Sequence, residues 1–255
     1  MYVYIYDEVV KKRKYNKLLI NIERRITDLG LNGKIIRLEG IKNVEKIIQN
    51  EIRYGVKTIV AVGTDKTISQ TVNAVIKLNQ NKDVKEIPVI GTIPIESKES
   101  LIARAMGIFS YKDACNAILA RRLEILRLAK INETFFVSQI NLLGNYNIID
   151  IEKDYRIEIK KPCNINIINI PLSKELGEKM SINSKKDDLK LLIIPKKSKK
   201  GDPLKNQSIF SLKKLTVSKN TKKILVDNSF EVSAPASIKT TDKKIIFIVG
   251  KDRVF

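Results

Sequence analysis

The segment Thr58-Ile-Val-Ala-Val-Gly63-Thr-Asp-Lys-Thr67 decides the fold of the first half of the chain. Residues 59–62 form an unbroken apolar run, which is typical of a strand buried on both faces of a sheet. A short polar turn, 63–67, follows directly, and apolar residues then recur at helical spacing at Ile68, Val72, Val75 and Ile76. The segment therefore predicts a buried strand, a tight turn and a helix in direct succession.

The same alternation of strand and helix extends over residues 1–119. Further strands are predicted at 2–6, 34–38 and 87–90, and helices at 18–29, 44–52, 101–106 and 114–119. Strands and helices that alternate at this spacing are typical of a parallel sheet with helices on both faces. We therefore expect residues 1–119 to form a doubly wound α/β domain.

The pattern changes after about residue 120, where helical periodicity becomes scarce. Short strands are predicted at 122–130, 135–143, 155–160, 164–170, 189–194, 210–217, 223–226 and 245–249. Many short strands with little helix between them indicate an antiparallel β-sandwich or barrel. The expected fold class is thus α/β plus all-β, with a β-sandwich domain over residues 120–255.

Composition excludes several kinds of site. The chain has no histidine, so histidine-based catalytic triads and histidine zinc sites cannot be built. The two cysteines, Cys115 and Cys163, lie far apart in apolar patterns and are expected to be buried free thiols. No secretory leader and no membrane-spanning apolar run are recognised, so we expect a cytoplasmic protein.

The formal net charge of +20 suggests an anionic partner without identifying one. Nucleic acid and an anionic membrane surface would both attract such a chain, and a lysine-rich composition with no specific partner is an equal alternative. Aromatic residues are few and are not interleaved with basic runs, which argues against a single-stranded nucleic-acid platform. Oligomeric state is not determined, and a homodimer is left open.

The turn after the central strand is a candidate phosphate site. At such a turn, free backbone N–H groups and the positive end of the helix dipole face an incoming anion. The candidate nucleotide-binding residues are Gly63, Thr64, Asp65, Lys66 and Thr67. Two alternatives stay open: Asp65 is a helix N-cap that accepts N–H bonds from Thr67 or Ile68, and Lys66 is a solvated loop lysine.

Three segments resemble the diacylglycerol kinase and sphingosine kinase type of lipid kinases. The stretch from Val60 to Val75 is similar to the family's apolar strand followed by G-G-D-G-T and L-N-E-V-V-N-G, with matches at Gly63, Asp65, Thr67, Val72 and Asn73. Residues 87–95 and 101–108 resemble the family's I-P-L strand and its F-A-R-A-L-G-I segment. Residues 122–128 and 135–137 resemble the strands that enter the family's β domain.

The resemblance implies an ATP-dependent lipid kinase. ATP would lie between the two domains, with Mg²⁺ bridging its phosphates, and a diacylglycerol-like hydroxyl at a membrane surface would accept the terminal phosphoryl group. Gly63, Asp65 and Thr67 would hold the phosphate side. The implied protein is cytoplasmic and peripheral to the membrane.

Departures from the family motifs support a second interpretation. Thr64 and Lys66 replace two glycines of the phosphate loop, and acidic Glu96 and Glu99 stand where the family has G-T-x-N-D. Asp227-Asn-Ser occupies the place of the family's D-G-E turn, whose glutamate is taken as the base. Asp227 is therefore either the catalytic candidate or a turn-former. The alternative function is a catalytically inactive pseudoenzyme that acts as a binding or scaffolding module.

A basic cluster is the candidate membrane contact. It consists of Lys196, Lys197, Lys199 and Lys200, beside a glycine and a proline. Such a cluster is either a solvated loop or a contact with anionic headgroups, in which each lysine contributes about 1 kcal/mol. The sequence suggests no metal-ligating residues of its own.

Overall fold

The computed structural model describes residues 1–38, 44–78, 87–144, 147–152, 155–171, 178, 188–196, 207–218, 221 and 223–253. The chain divides into two compact units. The first comprises Met1–Leu126 together with Lys244–Val254, and the second comprises Arg127–Lys243. Each unit has its own arrangement of strands.

The first unit alternates strands and helices. Its elements are β1 (Tyr2–Tyr6), α1 (Asn16–Asp28), β2 (Gly33–Arg37), α2 (Val44–Arg53), β3 (Thr58–Gly63), α3 (Asp65–Leu78), β4 (Val89–Pro94), α4 (Leu101–Ala105) and α5 (Tyr111–Ala120). Two short 3₁₀ helices, Glu8–Lys11 and Arg13–Tyr15, connect β1 to α1. The predicted strand–turn–helix around Gly63 is confirmed as β3, the turn and α3.

The sheet of the first unit is parallel. Its strands run in the order β2-β1-β3-β4, and β1 pairs in parallel with both β2 and β3, while β3 pairs in parallel with β4. Every residue of β3 and β4 is buried, as the apolar runs predicted, although β4 begins two residues later than expected and extends to Pro94. Helix α2 packs on α3, and α1 packs on α5, so the sheet carries two pairs of helices. This arrangement confirms the doubly wound α/β prediction.

The second unit is made of antiparallel strands. They are β5 (Leu123–Ile131), β6 (Thr134–Phe136), β7 (Gln139–Leu143), β8 (Asn147–Ile151), β9 (Tyr155–Ile159), β10 (Cys163–Ile168), β11 (Leu189–Pro195), β12 (Ser208–Leu212), β13 (Lys214–Val217), β14 (Lys223–Val226), β15 (Phe230–Val232) and β16 (Ala236–Ile248). Strand β5 begins in the first unit, and β16 ends there.

Two antiparallel sheets enclose the core of the second unit. One has the strand order β12-β11-β10-β7-β14-β15, and in the other β16 pairs with β13, β13 with β8, and β8 with β9. Inward side chains of both sheets form one apolar cluster that includes Phe136, Ile149, Ile165, Leu191 and Leu215. The predicted β-sandwich is therefore confirmed.

Two predicted strands are interrupted, each for a physical reason. The run 135–143 divides into β6 and β7 because the N–H groups of Val137, Ser138 and Gln139 donate to the Asp227 carboxylate. The run 210–217 divides into β12 and β13, and the Lys213 N–H between them donates to Glu152 Oε1 over 2.9 Å. At each break, a carboxylate from a distant part of the sequence accepts hydrogen bonds from the backbone N–H groups.

The C-terminal strand corrects one expectation. Residues 245–249 were expected to be a strand of the β-sandwich, but Phe247 pairs in parallel with Ile90 of β4. Lys244–Val254 therefore belongs to the first unit, whereas the sequence assigned all of 120–255 to the second. The apolar run predicts a strand but carries no information about its partner. The sequence predicts a domain boundary after residue 119, and the first segment of the first unit ends seven residues later, at Leu126. The domain boundary itself stays a prediction.

Candidate functional site

The carboxyl edge of the parallel sheet brings three connecting segments together. The Asp7 N–H donates to the Val62 carbonyl over 2.9 Å, which holds the segment after β1 against the end of β3. The Ile95 N–H donates to the Gly63 carbonyl over 3.0 Å, which does the same for the segment after β4. Ligands commonly bind at this edge of an open α/β sheet.

The Asp7 side chain, which follows β1, lies against the turn between β3 and α3. Its buried carboxylate accepts hydrogen bonds from the hydroxyls of Thr64, over 2.9 Å, and Thr67, and from the Val9 N–H over 2.8 Å. Burial alone would raise the pKa of Asp7, but the donors on Thr67, Val9 and Thr64 outweigh it and hold that pKa below its usual value. The turn therefore contains an ionised internal carboxylate.

Gly63 is required by the position of Asp7. A Cβ on Gly63 would lie 2.5 Å from the Asp7 Cβ and 2.9 Å from the Thr67 hydroxyl oxygen. Real side chains do not tolerate such contacts. The match of Gly63 to the kinase motif thus has a structural cause in this chain, which is the close approach of the segment after β1.

Asp65 caps a different helix from the one expected. Its buried carboxylate accepts the Ser100 hydroxyl and the Leu101 N–H, the latter over 2.7 Å, at the start of α4. The local cap on Thr67 or Ile68 was wrong, because the N–H groups of both residues donate to the Thr64 carbonyl. Burial raises the pKa of Asp65 to about 6, although the bonds from Ser100, Leu101 and Ile102 oppose the shift.

Glu96 contacts the segment after β1. Its Oε1 accepts a hydrogen bond from the Tyr15 hydroxyl and lies 3.2 Å from the Lys14 Nζ. Both contacts, the tyrosine first, hold the pKa of Glu96 below its usual value. Glu96 precedes α4 and lies outside it. The Glu99 N–H donates to the Glu96 carbonyl in the same turn.

The predicted phosphate residues lie together but differ in exposure. Gly63, Asp65 and Thr67 are buried, Thr64 is half-buried, and Lys66 is exposed on the first turn of α3. The first N–H groups of an α-helix have no acceptor within the helix and carry its positive dipole end. Lys66 and the first turn of α3 can therefore offer positive charge to an anion, whereas Asp7 opposes it.

Asp227 is a structural residue of the second unit. Its side chain is fully buried, with Oδ2 accepting the Val137 N–H over 2.7 Å and Oδ1 accepting those of Ser138 and Gln139 over 2.8 and 3.0 Å. Asp227 and Asn228 both have positive φ, and the Ser229 N–H donates to the Val226 carbonyl, which closes a tight turn between β14 and β15. All three of these donors are backbone N–H groups, which fits the turn-former interpretation.

Of the four lysines predicted to contact a membrane, the structure describes Lys196. Lys196 is exposed at the end of β11, and Lys197, Lys199 and Lys200 lie outside the described residues. Within the described ranges, no three acidic or cysteine side chains are grouped so that they could hold a metal ion. None of the helices described is both long and apolar enough to cross a membrane.

Sequence reasoning missed Asp7, Lys14, Tyr15 and Ser100 as members of this edge. One signal was available: two threonines three residues apart, Thr64 and Thr67, place two hydroxyls on one side of a helix start. Such a pair favours a nearby acceptor, but the sequence does not say which one.

The comparisons with known proteins identify the fold. No family sequence model matches the chain, and no curated protein sequence matches it. A diacylglycerol kinase structure from Bacillus anthracis is similar with a TM-score of 0.67 and 13% sequence identity, covering 98% of this chain and 97% of that one. An NAD kinase from Archaeoglobus fulgidus in complex with ATP is similar with a TM-score of 0.53 and 13% identity, covering 100% and 96%. The chain therefore has the fold of the diacylglycerol kinases, as its motifs predicted.

Proposed function

We propose that the protein is a lipid kinase that transfers the terminal phosphoryl group of ATP to the hydroxyl of a diacylglycerol-like lipid at a membrane surface. One observation supports this most directly: the fold matches that of a diacylglycerol kinase over nearly the whole of both chains. The turn between β3 and α3 also lies within the stretch that resembles the kinase motif. The structural relative solved with ATP supports nucleotide as the donor.

The nucleotide phosphates would bind beside the first turn of α3. The Lys66 ammonium and the positive dipole end of the helix are the positive groups there, and the half-buried Thr64 lies next to them. Mg²⁺ supplies charge neutralisation when it arrives with the nucleotide, since Mg²⁺ usually binds through substrate phosphates and few protein ligands. ATP and Mg²⁺ are in this sense the proposed cofactors.

The transfer itself would rely on position and charge. The lipid oxygen forms a bond to the terminal phosphorus, the bond from that phosphorus to the bridging oxygen breaks, and the hydroxyl proton passes to solvent. Because Asp227 is enclosed by backbone donors, no base at that turn is proposed. The absence of a general base reduces a rate by about 10²–10⁴-fold, so the proposed enzyme is slow.

Two measurements test this function in sequence. Calorimetric titration with Mg-ATP asks whether the donor binds, and transfer of labelled phosphate to diacylglycerol in mixed micelles asks whether it reacts. Lys66→Ala is expected to weaken ATP binding about tenfold. Lys77→Ala, on the last turn of the same helix, is the control and should change binding less than twofold. No heat of binding at millimolar ATP would contradict the proposal.

A catalytically inactive protein of the same fold is the second candidate. It is supported by the ionised Asp7 inside the turn and by the enclosed Asp227. The same two measurements separate the candidates, because an inactive protein gives no labelled lipid whether or not it binds ATP. Membrane contact through the lysines at 196–200 stays part of the first proposal. If replacing these lysines with alanine stops the protein from sedimenting with anionic vesicles, the contact is supported.

A further inference from the structure

Lys14 and Glu96 form an exposed ion pair at the carboxyl edge of the sheet. The Lys14 Nζ lies 3.2 Å from the Glu96 Oε1, and the two side chains are 62% and 34% exposed. The ammonium also lies over the Tyr15 ring, 4.5 Å from its centroid, and the Tyr15 hydroxyl donates to the same Glu96 oxygen. Exposed pairs of this kind contribute little to stability, so their partners exchange readily.

The pair lies next to the candidate phosphate turn. Glu96 directly follows Ile95, whose N–H donates to the carbonyl of Gly63. Glu96 and Ser100 are the two ends of one short turn, since the Ser100 N–H donates to the Glu96 carbonyl. The Ser100 hydroxyl also donates to Asp65 at the start of α3. Lys14 is thereby held within the same group of connecting segments as Lys66.

The turn alone is a poor site for a polyphosphate. Asp7 already accepts the Thr64 and Thr67 hydroxyls, and like charges close together in a partly buried site repel strongly. An arriving anion therefore needs mobile cations more than backbone donors. A lysine ammonium is such a cation, because its flexible stem lets it change partners without movement of the backbone.

We propose that Lys14 is a nucleotide-phosphate ligand and that Glu96 is the internal carboxylate that holds it when no nucleotide is bound. The nucleotide phosphates replace Glu96 as the partner of the ammonium, and Tyr15 retains Glu96 in place. This inference rests on the proposed function, since it assigns residues to the same nucleotide site. No covalent step is involved.

The test is a double-mutant cycle on the affinity for Mg-ATP, measured by calorimetry at one salt concentration. Lys14→Ala is expected to weaken binding about tenfold, and Glu96→Gln to strengthen it about threefold. The gain from Glu96→Gln should vanish in the Lys14→Ala background, because Glu96 acts through Lys14. If Glu96→Gln still strengthens Mg-ATP binding in the Lys14→Ala background, Glu96 acts only as a repelling charge. That result would overturn the proposed exchange of partners at Lys14.

Matched controls keep the outcomes separate. Lys17→Ala removes an exposed lysine three residues away and should change affinity less than twofold, and thermal melts confirm that each variant is folded. If the unmodified protein binds ATP and Lys14→Ala binds equally well, this inference fails while the proposed function stands. If the unmodified protein binds no ATP, both fail.

A vesicle experiment distinguishes the other phosphate source. Sedimentation with phosphatidylglycerol vesicles, against phosphatidylcholine vesicles, reports contact with lipid headgroups. Lys14→Ala is expected to leave the vesicle-bound fraction unchanged. Loss of vesicle binding with unchanged ATP affinity would assign Lys14 to the membrane and overturn the inference.

Discussion

At the residue scale, buried carboxylates hold the turns of this protein. Asp7 organises the turn after β3, Asp65 the start of α4, and Asp227 the junction of β6 and β7. Each receives two or more donors, which is the condition under which a buried charge is tolerated. Two of the three were singled out from the kinase motif, yet all three have a role in the fold.

The Asp227→Ala variant tests the structural role of that carboxylate. The change leaves the N–H groups of Val137, Ser138 and Gln139 without their acceptor in a buried site, so the free energy of unfolding should fall by about 3 kcal/mol. Urea unfolding measures it. Asp242→Ala, at an exposed position of β16, is the control and should change stability by less than about 0.5 kcal/mol. A small loss in the free energy of unfolding of Asp227→Ala would contradict the structural role of this carboxylate.

The Gly63→Ala variant tests the close approach of Asp7 to β3. The added methyl group would meet the Asp7 Cβ at 2.5 Å, and we expect a loss of about 1–3 kcal/mol in the free energy of unfolding. Gly91→Ala in β4 is a matched control, since its nearest contact is the Val60 Cγ2 at 3.3 Å. Equal losses in the two variants, measured by urea unfolding, would show that Asp7 does not fill the turn.

At the element scale, one side chain links α3 to α4. Asp65 belongs to the first turn of α3, and it accepts from Ser100, the N-cap of α4, whose own hydroxyl oxygen accepts the Ala103 N–H over 3.1 Å. Helix α4 has only five residues, and so short a helix depends on its caps. The start of the candidate nucleotide helix is therefore coupled to the segment after β4.

The pH dependence of stability should reveal this link. Burial raises the pKa of Asp65 from 3.8 to about 6, so between these values the native state holds a proton that the unfolded state has lost. The stability that Asp65 contributes is therefore complete below about pH 3.8 and is lost as the pH rises through about 6. We expect the stability difference between the native protein and Asp65→Asn to shift by about 1–3 kcal/mol between pH 4 and pH 7.

The measurement is urea unfolding of both proteins across that range. Other acids titrate in the same window, but they are common to both proteins and cancel in the difference. Asp113→Asn, at an exposed position of α5, serves as the comparison. A difference for Asp65→Asn that stays constant with pH would mean that its carboxyl is not perturbed by burial.

At the scale of the whole molecule, the chain returns to its first unit after building the second. Strand β16 pairs with β13 at one end and with β4 at the other, and Phe247, Ile248 and Val249 are fully buried. The first unit is therefore completed by residues from the C-terminal end of the chain. Its buried core therefore includes residues that follow the second unit in the sequence.

The Phe247→Ala variant tests this completion. Loss of a fully buried phenylalanine should cost about 3–5 kcal/mol, and hydrogen exchange should accelerate in β3 and β4 more than in β7 and β10. Phe210→Ala, at a position that is 38% exposed, should have a much smaller effect on both. Faster exchange confined to β7 and β10 would assign the C-terminal strand to the second unit.

Much of the fold was predictable because periodicity is a local property. Apolar runs predicted β3 and β4 as buried strands, and the alternation with helices predicted the doubly wound sheet. Strands β8 and β15 were missed, and so was the first half of β16, which is polar and partly exposed. Those segments carry a weak pattern, because their pairing partners and the core of the second unit stabilise them more than their own sequence does.

The candidate site was predictable in position and not in its contacts. The motif placed Gly63 to Thr67 at the end of a central strand, where the structure has them. It did not predict that Asp7 would occupy the turn, that Asp65 would cap α4, or that Glu96 would pair with Lys14. A motif states which residue types are present, whereas the role of a carboxylate depends on which donors surround it.

By itself, the sequence determined the elements, the fold class and the location of the candidate phosphate turn, since these follow from patterns within a few residues of one another. Only the tertiary structure decided which charged groups meet. Asp7 and Thr67 are 60 positions apart, Lys14 and Glu96 are 82 apart, and Asp227 and Val137 are 90 apart. A charged side chain has many eligible partners along the chain, and the packing of sheets and helices selects one of them.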